Sequence, residues 1–161
     1  MRLCVYLNRA ARLEPVHQFF RIVSRLGNSV FRYVLMGALL AVHGVAAVRM
    51  VRHMVIVGLM CTLLYKCLKA RASRPRPYQV NQVITCNARQ LDPFSFPSGH
   101  TLHAVAFPSI ASASYPQLSW FLIPFTFLIA LSRVVLGLHY PSDVLAGIAI
   151  GALVARISLC L

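Results

Sequence analysis

Ser132-Arg133-Val134-Val135-Leu136-Gly137-Leu138-His139-Tyr140-Pro141-Ser142-Asp143 ends one long apolar run and opens another. Charged side chains are costly in hydrocarbon, so such a junction belongs in a loop at a membrane surface. Pro141 suits the first turn of the following helix, where its missing N–H costs nothing. Asp143 then falls in that first turn, a favourable place for an anion. From there its carboxylate can accept a hydrogen bond from one ring nitrogen of His139. That bond would fix the tautomer and leave the other nitrogen free to attack. Arg133 supplies a planar cation matched to phosphate. A polar loop with a helix cap is the plainer reading of the same residues.

Composition sets the class. The chain has 161 residues, 58% of them hydrophobic, with sixteen Lys and Arg against three acids. The length allows one domain over 1–161. The long apolar runs indicate an all-α, multi-spanning membrane bundle. A net charge of +13 would also suit nucleic acid. Many of the cations lie at the ends of apolar runs or beside prolines, not on one polar face, so anionic lipid headgroups are the expected partner and nucleic acid is not. Five cysteines in no paired spacing give neither a disulfide framework nor a zinc pattern, and free, mostly buried thiols are expected.

Residues 1–29 alternate an apolar set (Leu13, Val16, Phe19, Phe20, Val23, Leu26) with a polar one (Glu14, His17, Gln18, Arg21, Arg25) at helical spacing. This reads as an amphipathic helix lying on the membrane, basic face outward, ended by Gly27-Asn28. A helix packed on the protein is the other reading. No uninterrupted apolar core precedes a cleavage-like site, so a signal peptide is not expected. Spans are expected over 30–49, 53–69, 101–115, 118–137 and 142–160, five in all. His43 reads as an interior histidine in the first. Arg49, Arg52 and His53 mark a polar turn. Pro108 and Pro124 interrupt the third and fourth, and Gly147-Ile-Ala-Ile-Gly151 offers a small-residue packing face in the fifth. The prolines of Arg71-Ala-Ser-Arg-Pro-Arg-Pro77 stop a helix there, and 78–96 reads as an ordered cap.

Five spans bring 69–77, 97–100 and 132–143 to one membrane face. They carry Lys69, Arg76 and Arg133 as cations, Ser98 and the Gly99 amide as donors, and His100 and His139. Gly99 lets backbone approach an anion at a helix start. Such a cluster suits a multiply charged oxyanion, phosphate first. The only acids are Glu14, Asp92 and Asp143, too few for a two-metal phosphatase, so no metal or other cofactor is expected. Phosphoryl transfer through a phosphohistidine needs neither.

Lys69-(six residues)-Arg76-Pro77, Pro97-Ser98-Gly99-His100 and Ser132-Arg133-(five residues)-His139-(three residues)-Asp143 together resemble the three signature motifs of the type 2 phosphatidic acid phosphatase superfamily, the lipid phosphate phosphatases. The resemblance covers about 69–160. It implies His139 as nucleophile, Asp143 as its orienting partner, and His100 as acid to the leaving group and then base to water. It implies Lys69, Arg76, Ser98, Gly99 and Arg133 as phosphate-binding groups, with no metal. Arg71, Arg74 and His103 lie outside the motifs and read as headgroup contacts or surface charge, and Arg89 as a solvated loop cation. Many integral members have six spans against the five counted here.

The expected activity is removal of a terminal phosphate from a membrane lipid. Undecaprenyl diphosphate is favoured over phosphatidic acid and phosphatidylglycerol phosphate by the abundant cations. Cation counting puts the site on the cytoplasmic face; analogy with lipid phosphatases puts it on the outer face, and that is the expectation adopted. Two rivals remain: a non-catalytic anionic-lipid binder or transporter, with little need for both histidines and Asp143, and a vanadate-dependent haloperoxidase, a class that is soluble and larger.

Overall fold

The computed structural model describes residues 2–85 and 93–160, with the side chain of Arg2 set aside. Arg89, Asp92 and Cys86 lie outside the described residues. The described chain is helical: α1 (Arg2–Ala10), α2 (Glu14–Leu26), α3 (Ser29–His43), α4 (Val45–Ala72), α5 (Pro77–Val80), α6 (Gly99–Ser114), α7 (Ser119–Val135) and α8 (Pro141–Cys160), with a 3-10 turn at Pro116–Leu118.

α6 is the centre of the bundle, packed against α4, α7 and α8. Its Ala- and Ser-rich sequence is buried almost all round, from Thr101 through Ala111. A helix with small side chains on every face can be enclosed by neighbours at short range. The closest neighbour is α8, whose buried residues Asp143, Gly147, Gly151 and Ala155 recur every fourth position. A Cβ on Gly147 would lie 2.7 Å from the Ser98 carbonyl oxygen, and one on Gly151 2.5 Å from that of Leu102. The small-residue face expected in the last span is therefore a direct backbone contact with α6. On the other side, Gly58 of α4 admits the Phe107 ring, which would sit 2.7 Å from an added Cβ.

Both helices with internal prolines continue through them. Pro108 has no N–H for the Ala104 carbonyl, and Thr126 of α7 donates its hydroxyl to that oxygen at 2.7 Å. The break becomes a bond between helices.

Val45–Val80, Pro116–Val135 and Pro141–Cys160 are each long and apolar enough to cross a bilayer, and α2 with α3, bent by 57°, add one crossing if they form a single broken span. Large apolar side chains cover the outside, among them Trp120, Phe121, Ile123, Phe127, Leu145, Leu153 and Ile157. An outer surface of this kind belongs in hydrocarbon.

Two local readings change. The expected turn at Arg49, Arg52 and His53 lies inside α4; the break comes earlier, at Gly44, with φ of 55°. Glycine adopts that conformation without a Cβ clash, whereas arginines are good helix formers and interrupt nothing. His43 is not interior: it is exposed at the end of α3, with its ring stacked 4.0 Å from that of Tyr115.

The N-terminal segment forms two helices that pack against α7. On α2, His17, Val23 and Ser24 are buried, while the apolar Phe19, Ile22 and Leu26 and the polar Glu14, Gln18, Arg21 and Arg25 are exposed. The buried strip thus mixes His17 and Ser24 with Val23, and the basic residues Arg21 and Arg25 stay exposed. Of the described cysteines, all free, Cys4 and Cys61 are buried and Cys67 and Cys160 exposed.

Candidate active site

Lys69 and Arg76 come from the end of α4 and the loop after it, Gly99 and His100 from the start of α6, and Arg133 and His139 from the end of α7 and the loop after it. All six line one cavity of about 590 Å³. Asp143 and Ser98 do not line it. Asp143 lies behind His139, fully buried.

The loop geometry sets the histidine. Gly137 takes φ of 69° and turns the chain back, with the amides of Leu138 and His139 donating to the Arg133 carbonyl at 3.1 Å. His139 Nδ1 lies 2.7 Å from the Ser95 carbonyl oxygen. A carbonyl only accepts, so Nδ1 carries the proton and Nε2 is the basic atom of the neutral ring. Burial and the nearby charges of Arg133, Arg76 and Lys69 hold the pKa well below the usual histidine value, against an opposing pull from the Ser95 carbonyl. The ring is therefore neutral at pH 7.

Asp143 was expected to orient His139 directly. Its Oδ2 lies 3.8 Å from Nδ1, too far for a hydrogen bond, and the Ser95 carbonyl takes that place. The carboxylate instead accepts the Tyr140 amide at 2.9 Å on Oδ2 and the Arg74 guanidinium at 2.7 Å on Oδ1. Arg74 also donates to the Ser142 hydroxyl at 2.9 Å and stacks 4.0 Å over the Tyr140 ring. It is not a surface charge but the clamp on Asp143.

Ser98 caps α6: its hydroxyl lies 3.0 Å from that of Thr101 and accepts the Thr101 amide at 3.5 Å, and its own amide donates to the Asp143 carbonyl at 3.1 Å. Its oxygen is thus engaged in the loop rather than presented to the cavity. The cations are held in place by the backbone. Lys69 Nζ donates to the Phe94 carbonyl at 3.1 Å, and Arg76 to that of Leu138 at 2.9 Å.

The α2–α3 segment completes the site in a way the motifs do not signal. Arg133 donates to the Ser24 hydroxyl, and His100 Nε2 pairs with the Asn28 side-chain oxygen. Asn28 reads in sequence only as a helix stop. His103 also lines the cavity, with Nδ1 donating to the Gly99 carbonyl at 2.8 Å, while Arg71 is exposed outside it. Among the described residues, no three His, Cys, Asp or Glu side chains converge as metal ligands do.

Residues 46–161 match the family model of the PAP2 superfamily. The chain belongs to the PAP2 superfamily. This is the family to which the three motifs point. Among solved structures, LpxE of Aquifex aeolicus superposes over 99% of this chain and 94% of its own, with a TM-score of 0.83 at 27% identity. A transmembrane PAP2-type phosphatidylglycerolphosphate phosphatase from Bacillus subtilis does so over 98% and 83%, with a TM-score of 0.75 at 26% identity. Among curated relatives, the decaprenylphosphoryl-5-phosphoribose phosphatase of Mycobacterium tuberculosis is 37% identical over 56% of this chain and 49% of its own. The undecaprenyl-diphosphatase BcrC of Bacillus subtilis is 30% identical over 62% and 47%. A lipid A 1-phosphatase of Rhizobium johnstonii is 41% identical over 36% and 24%. These matches span a quarter to about half the length of the curated relatives. With its PAP2 relatives and its apolar helices, the chain is an integral membrane protein.

Proposed function

We propose that this PAP2 protein is a metal-independent lipid phosphatase working through a phosphohistidine on His139. The observation that carries the reading is the neutral, buried His139 whose Nδ1 is tied to the Ser95 carbonyl, on a cavity walled by cations. In the first step the Nε2 lone pair attacks phosphorus and the bond to the lipid-side oxygen breaks. His100 gives that oxygen a proton. In the second step water attacks phosphorus, the P–N bond breaks, and His100 takes the proton back. Lys69, Arg76, Arg133 and the Gly99 amide face the charge that spreads over the phosphoryl oxygens. Asp143 offsets the positive charge that develops on the ring, from 3.8 Å. Ser98 acts through the start of α6, which it caps.

The favoured substrate is a polyprenyl diphosphate, undecaprenyl diphosphate first, with phosphatidic acid and phosphatidylglycerol phosphate as the other candidates. Two of the relatives named above act, by their names, on polyprenyl-linked phosphates. The site is proposed to face the outer side. The test is phosphate release by purified protein in detergent with a chelator present, across the three lipids, beside His139→Ala. Release that survives the chelator and disappears in the variant supports the reading. Folded protein that releases phosphate from none of them overturns it in favour of an anionic-lipid binder.

A further inference from the structure

The cavity carries more positive charge than one phosphate can use. Among the described residues, seven cations line it, Lys69, Arg76 and Arg133 and also Arg21, Arg25, Arg32 and Lys66, and no carboxylate does. A phosphate group brings about two negative charges near neutral pH. In a concave site, unmatched like charges raise each other's energy, so a concentration of this kind is retained where a further anion binds. The volume of about 590 Å³ also lies in the range that holds a whole headgroup rather than one small ion.

The additional four come from a different wall. Arg21 and Arg25 lie one turn apart on α2, Arg32 is in the first turn of α3, and Lys66 is in the last part of α4. Arg32 is placed by the Ser29 hydroxyl at 2.9 Å and lies 5.6 Å over the Phe107 ring. The side chains of Arg21, Arg25 and Lys66 make no hydrogen bond or ion pair among the described residues, so their donors are available to a ligand. None of the four belongs to a family motif.

We propose that Arg21, Arg25, Arg32 and Lys66 form a second anion subsite that holds a second phosphoryl group. This rests on the phosphatase reading for its biological use but not for its test. The group is either linked to the one at His139, as in a diphosphate, or carried by a separate molecule. The probes are methylenediphosphonate, with two linked groups, and methylphosphonate, with one; their P–C bonds resist hydrolysis, so binding is read without turnover. Affinity and stoichiometry are measured by calorimetry on the full chain in detergent, for the natural protein, Arg21→Gln/Arg25→Gln and Lys66→Gln.

For linked groups, the natural protein binds methylenediphosphonate one-to-one, about tenfold or more tighter than methylphosphonate, as two further charge-assisted contacts imply. The double variant loses most of that preference. For separate groups, two methylphosphonates bind per natural chain and one per variant chain. Lys66→Gln, on another helix, is expected to move the same quantity and decides the matter if the double variant does not fold. Preference and stoichiometry unchanged in the folded variants overturn the subsite. If these shifts occur but no lipid is hydrolysed, the subsite stands and the phosphatase reading falls; turnover without the shifts gives the converse.

Discussion

Gly147→Ala separates packing from chemistry in this bundle. The added Cβ would lie 2.7 Å from the Ser98 carbonyl oxygen, about 0.7 Å inside the 3.4 Å at which ordinary contact begins. The obstacle is backbone, so no rotamer change relieves it; α8 must move away from the start of α6, which carries Gly99 and His100, or that helix start must move. Overpacking of this kind costs about 1–3 kcal/mol, and the better helix propensity of alanine returns about 1 kcal/mol. The net loss of stability is then at most about 2 kcal/mol, a modest drop in melting temperature. Turnover responds more strongly, because a misplacement near 1 Å in an active site costs about a hundredfold; a shift of about 0.7 Å should cost roughly ten- to a hundredfold. Gly151→Ala is the control. Its Cβ would meet the Leu102 oxygen at 2.5 Å, a worse clash one turn further from the site. Phosphate release and thermal melting in the same detergent are the assays. Gly151→Ala should melt lower and keep more of its turnover than Gly147→Ala. Equal turnover losses in the two variants would refute the reasoning, since steric strain alone would then account for both.

Three further outcomes follow from the loop around His139. Arg74→Gln removes the 2.7 Å partner of a fully buried carboxylate; because the Arg74 side chain is 37% exposed, the expected stability loss is about 1–2 kcal/mol rather than the larger cost of a fully buried pair. Turnover should fall about tenfold, with partial recovery in Arg74→Lys, and a variant indistinguishable from the natural chain would remove Arg74 from the account. The folded pKa of His139 lies below its unfolded value, so the unfolded chain binds more protons between the two; its contribution to stability is complete above about pH 6.5 and is lost as pH falls below that. The acid limb of kcat/KM assigned to His139, read as the part of the profile altered in Arg76→Lys, should therefore fall below pH 6.5, and a limb above that value would contradict a neutral, cation-flanked ring. Gly137→Ala places a Cβ at φ of 69° and 2.4 Å from Ile84, costing at least about 1–2 kcal/mol; an unchanged melt would show that the turn can relax.

The parts of the site that read clearly in sequence are those where residue type and spacing carry the chemistry. Lys69, Arg76, His100, Arg133 and His139 meet on one cavity because their three stretches sit at helix ends facing the same way. The Gly147–Gly151 face was legible for a similar reason, since only small residues at fourfold spacing let backbones touch. What stayed hidden depends on the backbone or on a face choice. The partner of His139 is the carbonyl of Ser95, and any residue has one, so side-chain chemistry pointed to Asp143 instead. Arg74 looked like one more cation in a basic run; only the folded loop shows it on Asp143. The stripes of α2 are legible, but not what they face: Arg21 and Arg25 stay exposed, and the space they face is the cavity, which only the packing of α2 beside α7 creates.

The most direct test of the account is capture of the phosphoryl group on the protein. His100→Ala removes the base that water needs to attack phosphorus, while a leaving phosphate needs the acid of the first step less, so a lipid diphosphate labelled in its terminal phosphate should leave acid-labile, alkali-stable label on the chain. Peptide mapping should place it on the fragment containing His139, and His100→Ala/His139→Ala should carry none. Label on another residue, or phosphate release that persists in folded His139→Ala, would contradict the account.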